Sequence, residues 1–125
     1  MTFVTLNLIV IRSSDIDRSA VFYEALGFEF IWHQHGEGLE HYAAEVACGD
    51  APPLVFEIYP ATDLGDRKDA VRLGFCVDDV DASLAALVAA GGAVISRARE
   101  SEWGRRAVLS DPDGHRVELT QRYIA

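Results

Sequence analysis

Ser14-Asp15-Ile16-Asp17-Arg18-Ser19 follows the apolar run Leu6 to Ile11, and Asp78-Asp79-Val80-Asp81-Ala82-Ser83 follows Val71 to Val77 in the same way. Ser14 to Asp78 and Gly27 to Gly91 are both 64 positions apart. Each copy runs from a strand-like stretch into a hydroxyl or carboxylate that can cap a helix, then an amphipathic segment, a glycine and further apolar runs. A period this long exceeds a solenoid unit. The pattern reads as two tandem βαβββ modules, an α+β fold in which two mixed sheets form a concave cleft.

In the first copy Phe3 to Arg12 is a strand candidate. Ile16, Ala20, Tyr23 and Leu26 then recur at helical spacing, and Gly27 ends the helix. Phe28 to His35 and Leu39 to Cys48 read as hairpin strands around Gly36-Glu37-Gly38. Asp50-Ala51-Pro52-Pro53 is expected to break the chain before the strand Leu54 to Tyr59. In the second copy Val80, Leu84, Leu87, Val88 and Gly91 share a helical face. Strands are expected at Val71 to Val77, Ala93 to Ala98, Arg105 to Ser110 and His115 to Arg122. Asp111-Pro112-Asp113-Gly114 has the chemistry of a tight turn. One domain results: module one 1–60, a polar connector 61–69 and module two 70–125.

The 125 residues suffice for one ordinary core, half of them hydrophobic and a quarter charged, as in a globular protein. A formal net charge of −9 disfavours a nucleic-acid partner, since phosphate binding depends on clustered Lys and Arg. Met1-Thr2-Phe3 begins no signal-peptide pattern and no apolar run is long enough for a bilayer, so the expected address is the cytoplasm, with no membrane partner. Cys48 and Cys76 show no pairing pattern and are expected to be buried or inert thiols.

Taken together, the paired modules, Phe22-Tyr23 and Leu26-Gly27 behind the first motif, Trp103-Gly104 before a strand, and Asp111-Pro112-Asp113-Gly114 leading to Val117-Glu118-Leu119 resemble the vicinal oxygen chelate superfamily. That group includes glyoxalase I, extradiol dioxygenases and bleomycin-resistance proteins, and the resemblance covers almost the whole chain. It implies four inward-facing ligand positions in the metal-dependent members, which fall here on Leu8, Glu57, Arg72 and Glu118. Leucine has no lone pair and a guanidinium only donates, so two of the four cannot hold a cation. No metal or other cofactor is therefore expected.

Arg72 is expected to lie between Glu57 and Glu118, supplying the counter-charge that a cation would otherwise give. The plainer reading sends Arg72 to solvent and leaves both glutamates as surface groups. The three together carry one net negative charge, which favours neutral or cationic ligands. The expected ligand-binding residues are Leu8, Glu57, Tyr59, Arg72, Trp103 and Glu118. Trp32, Tyr42, Phe56 and Phe75 are further pocket candidates that serve equally as core. His33, His35 and His41 straddle one hairpin and read as solvated or satisfied side chains, and His115 as exposed.

The resulting expectation is a metal-independent protein, resembling the bleomycin-resistance proteins, that binds or sequesters a small organic molecule and forms a homodimer. The alternative is an enzyme. It would be a glyoxalase-type lyase or isomerase in which Glu57 or Glu118 removes a proton next to a carbonyl, or a metal enzyme with a shifted ligand set.

Overall fold

The computed structural model describes residues 6–61, 71–102 and 104–121, and in it Asp15 and Asp79 play one part twice. Asp15 caps helix α1 (Ile16–Glu24) by accepting from the Arg18 amide at 3.1 Å. Asp79 caps helix α2 (Val80–Ala89) by accepting from the Ala82 amide at 3.1 Å. Each helix carries one more acid in its first turn, Asp17 or Asp81, where the helix dipole favours negative charge. Beyond the helices Gly27 and Gly91 hold φ of +103° and +108°, which L side chains rarely adopt.

The strands of the first module are β1 (Leu8–Ser13), β2 (Ile31–His33), β3 (His41–Cys48) and β4 (Ala51–Pro60). Those of the second are β5 (Arg72–Cys76), β6 (Ala93–Ser101), β7 (Gly104–Ser110) and β8 (Arg116–Gln121). They form two four-stranded mixed sheets, ordered β1-β4-β3-β2 and β5-β8-β7-β6. β1 runs parallel to β4 and β5 parallel to β8, while the remaining pairs are antiparallel. The α+β reading of two βαβββ modules holds. Of the expected connector only Ala61 is described, and Trp103 and Arg122 lie outside the described residues.

Two expectations about the strands are corrected. Ala51-Pro52-Pro53 belongs to β4, and the chain turns one step earlier, at Gly49-Asp50. The pairing with β1 begins only at Leu8 opposite Val55, so the prolines precede the stretch where β4 must bond on both sides. β2 is a three-residue strand rather than an eight-residue one. Among the described residues it ends its sheet, next to β3.

Residue parity sorts each sheet into two faces. Ile9 and Ile11 share the helix side with Phe56 and Ile58, while Leu8, Val10 and Arg12 share the other with Val55, Glu57 and Tyr59. In the second sheet Leu73 and Phe75 join Val117 and Leu119 on the helix side, opposite Arg72, Gly74, Cys76, Glu118 and Thr120. One core draws on both modules: Phe22, Tyr23, Phe56 and Ile58 are buried with Leu87, Leu109, Val117 and Leu119. Of the face expected to be buried on α2, Val80 and Leu87 are buried, while Val88 is 43% exposed.

The turn at Asp111-Pro112-Asp113-Gly114 closes with the Gly114 amide donating to the Asp111 carbonyl at 3.0 Å, and it does more than turn. Asp113 accepts from the Ser13 hydroxyl at 2.5 Å and from the Ser14 amide and hydroxyl at 2.9 and 2.7 Å. Tyr23 donates to Asp111 at 2.7 Å. These bonds tie the turn of module two to the entrance and body of α1 in module one.

Candidate functional site

Glu57 stands in β4 beside Val10 of β1 and Ala43 of β3. Its Oε2 lies 3.4 Å from Nε2 of His41, which is buried at 2% exposure. The His41 ring stacks on Tyr59 with centroids 4.2 Å apart, and Arg12 lies 5.1 Å from the Tyr59 centroid. His41 Nδ1 is 3.1 Å from the Leu39 carbonyl. A carbonyl only accepts, so Nδ1 carries the proton there and Nε2 is left facing the carboxylate. A proton, or a donor group of a ligand, is what that pair is arranged to share.

Glu118 stands in β8 beside Gly74 of β5 and Val108 of β7. Arg106 pairs with its Oε1 through both Nε and a terminal nitrogen, and Arg72 approaches the same oxygen at 3.9 Å. The repeat persists here at the level of chemistry. His41 and Arg106 each lie two residues before the residue opposite their glutamate, Ala43 and Val108. Each glutamate thus has its own partner within its own sheet.

This changes the expected arrangement. Among the described residues no ion pair joins Arg72 to Glu57, so the bridge between the two glutamates is replaced by two separate pairs. Arg72 is half-exposed, at 47%, because Arg106 holds the position nearer Glu118. Arg72, Glu57 and Glu118 still sum to one negative charge, and Arg106 beside Glu118 and Arg12 beside Tyr59 add two positive charges to these faces. Replacement Arg72→Met is accordingly expected to cost under about 1 kcal/mol, as for exposed pairs. Arg106→Met is expected to cost about 1 to 2 kcal/mol after allowance for solvent screening. Denaturant melts of the two variants check the order, and a larger loss from Arg72→Met would restore the bridged arrangement.

Of the six expected ligand-binding residues, Leu8, Glu57 and Tyr59 share a face of the first sheet, and Arg72 and Glu118 a face of the second. Trp103 lies outside the described residues. Leu8 is 49% exposed and Val10, on the same strand and face, is also exposed, so an apolar stripe of β1 borders Glu57, while the exposed Ile31 lies at the opposite edge of the sheet. His33, His35 and His41 have ring centroids 5.5 to 5.7 Å apart. His41 was legible only as one of three hairpin histidines; its two-residue spacing from Ala43, opposite Glu57, was the available signal.

Other expectations resolve simply. Phe56 is core, and Phe75 and Tyr42 pack against it. Tyr42 also donates to Asp17 at 2.6 Å, and that bond raises its pKa. Trp32 is 49% exposed. Cys76 is an exposed free thiol rather than a buried one, because parity turns it away from Leu73 and Phe75. His115 is mostly buried, not exposed, since Asp111 holds its Nδ1 at 2.8 Å. Asp111, Asp113 and His115 form the one group of three metal-capable side chains that converges among the described residues. Each of its four carboxylate oxygens already accepts a hydrogen bond, so the group is a structural joint.

The donor set at the four family ligand positions does not fit a divalent ion: Leu8 offers nothing, Arg72 is a cation, and both glutamates are paired. A cavity of about 680 Å³ lies elsewhere, and of the five expected residues that are described Arg72 alone enters its lining.

Paired βαβββ modules with a glutamate on the last strand of each define a member of the vicinal oxygen chelate superfamily. Within it, the profile of the glyoxalase-like domain family matches residues 8–120, and the chain belongs to that family. No curated protein sequence matches the chain. Among solved structures it is similar to TnmS3, an antibiotic binding protein from Streptomyces sp. CB03234, at 30% identity and a TM-score of 0.65, covering 98% of this chain and 99% of that one. It shares the fold of a glyoxalase/bleomycin resistance protein/dioxygenase family enzyme from Burkholderia phytofirmans PsJN, at 19% identity, TM-score 0.71 and coverage of 96% and 100%. A glyoxalase family protein from Bacillus cereus shares it at 16% identity, TM-score 0.76 and coverage of 99% and 97%.

Proposed function

We propose that the chain binds and sequesters a small organic molecule without a metal ion, at the faces that carry Leu8, Glu57 and Tyr59 and Arg72 and Glu118. The observation that carries this reading is the donor set: two of four ligand positions are occupied by Leu8 and Arg72, and the remaining carboxylates are matched by His41 and Arg106. The likeness to an antibiotic binding protein supports a binding role. Tyr59, stacked on His41, offers an aromatic surface beside a carboxylate, a combination suited to an unsaturated ligand with a hydrogen-bond donor.

Elemental analysis after dialysis against nickel, zinc, manganese and iron is expected to find far less than one transition-metal ion per chain. Near-unit occupancy overturns the reading. Replacing Leu8 and Arg72 together by histidine is expected to create metal affinity, because two imidazoles then join two carboxylates.

The second reading is a lyase or isomerase, favoured by the His41–Glu57 pair and its fixed Nδ1 proton. Turnover of a hemithioacetal, with or without added nickel or zinc, would establish it over sequestration.

We also infer a homodimer, in which a second copy covers the exposed apolar stripe of Leu8 and Val10 on the edge strand β1. Light scattering on a sizing column should give twice the mass of one chain. A one-chain mass across a wide concentration range excludes it. No helix of the structure is long and apolar enough to cross a membrane, and an exposed free thiol at Cys76 suits the reducing cytoplasm.

A further inference from the structure

The cavity of about 680 Å³ lies on the other side of the first sheet from Glu57. Ile9 and Phe56 line it, and both belong to the helix face by parity. Its opposite wall is β5, which contributes every residue from Arg72 to Cys76. β1 and β5 are each the outermost strand of a sheet, so the cavity occupies the gap between two edges.

Its walls are mainly apolar, with Phe28, Phe56 and Phe75 among them, and Arg72 is the single charged residue of the lining among the described residues. Volumes of 300 to roughly 1,000 Å³ are those of small-molecule sites. Apolar walls give water few partners, so an apolar guest replaces it at little loss. Arg72 is less committed than Arg106: its guanidinium is 3.9 Å from Glu118, half-exposed, and Arg106 already matches that carboxylate.

We propose that this cavity is a second binding site, separate from the Glu57 face, for a mainly apolar molecule bearing one carboxylate that pairs with Arg72. The charge is what commits the choice: an apolar guest with an ammonium group would meet the guanidinium with like charge. Among the described residues β5 has no strand on its outer side, so its edge adds backbone polar groups along an otherwise apolar wall.

Cys76, an exposed free thiol in the lining, is a reporter for occupancy. The experiment follows the rate of its alkylation by N-ethylmaleimide, read by peptide mass spectrometry to separate Cys48, while the full chain is titrated with decanoate, decanol or decylamine. Decanoate is expected to slow alkylation saturably, with calorimetry giving one site per chain, and decylamine is not. Arg72→Gln should weaken decanoate about tenfold, the loss expected of one charge-assisted hydrogen bond. Arg72→Glu should reverse the preference between decanoate and decylamine. Glu57→Gln and Glu118→Gln should each leave decanoate binding unchanged, which separates this site from the two faces under Proposed function, with which it shares Arg72.

Decanoate that gives no protection, or protection that does not saturate, overturns the proposal. So does a decanoate affinity that is equal in wild type and Arg72→Glu, or one that falls in Glu57→Gln or Glu118→Gln. Circular dichroism and melting of each variant confirm that it is folded before it is titrated.

Discussion

Asp113→Ala is expected to lower folding stability by about 3 kcal/mol, because it removes a buried carboxylate that accepts three hydrogen bonds from the far module. The side chain is fully buried and accepts three hydrogen bonds, from the Ser13 hydroxyl and from the Ser14 amide and hydroxyl. Ser13 is itself buried and loses its carboxylate partner. Arg18, 3.6 Å away and half-exposed, adds little by comparison. Burial alone would push the Asp113 carboxyl up, but the bonds from Ser13 and Ser14 and the charge of Arg18 together hold it below its usual value. A carboxyl lowered on folding contributes stability that is fully present above the unfolded value of about 3.9 and is lost as pH falls through the lower folded value. The difference between wild type and Asp113→Asn, measured by urea melts, should therefore be constant near neutrality and shrink below about pH 4. A Ser13→Ala, Asp113→Ala double-mutant cycle isolates the pair. A loss from Asp113→Ala below about 1 kcal/mol would mean that the two modules do not depend on this joint.

That joint marks where the sequence stopped being informative. Asp111-Pro112-Asp113-Gly114 is readable as a turn because Asp, Pro and Gly stand where the local backbone needs them. Nothing local says that Asp113 also binds residues 99 and 100 positions away. The helices were legible for the opposite reason: Asp15 and Asp79 cap amides three residues on, and the hydrophobic period repeats 64 residues later. At the candidate site the two glutamates could be placed by the family resemblance, one on the last strand of each module. Their partners could not, since His41 and Arg106 sit on neighbouring strands, where the modules share a position but not a residue type. Arg72 looked like the obvious counter-charge because it was the charged replacement at a ligand position. A nearer arginine on β7 took that role. The cavity was beyond reach altogether, as it arises from the spacing of two sheet edges rather than from any stretch of chain.

Phe56→Ala is expected to cost about 4 kcal/mol, in the upper part of the range for removing a buried ring. Phe56 is 1% exposed and lies at the centre of an aromatic cluster. Its ring centroid is 5.0 Å from Tyr23, 5.7 Å from Phe28 and 5.8 Å from Phe30, with interplanar angles of 65° to 76°, the edge-to-face geometry that aromatic quadrupoles favour. Tyr23 and Phe28 in turn reach Phe75 of the second module at 6.3 and 5.5 Å, so the ring supports the contact between modules as well as the first sheet. The cost depends on how far the surroundings can collapse into the space left behind. Here they are hindered, because Phe56 also lines the inter-edge cavity and its removal enlarges a space of about 680 Å³ already present. Phe56→Leu, which keeps most of the volume, should lose less than half as much as Phe56→Ala, and the two are compared by denaturant melts at neutral pH. Equal losses would show that the edge-to-face geometry, and not the filled volume, sets the stability of this region. A loss from Phe56→Ala below about 1.5 kcal/mol would show that the neighbouring rings close the gap, and the cavity between β1 and β5 would then be too pliable to discriminate among guests.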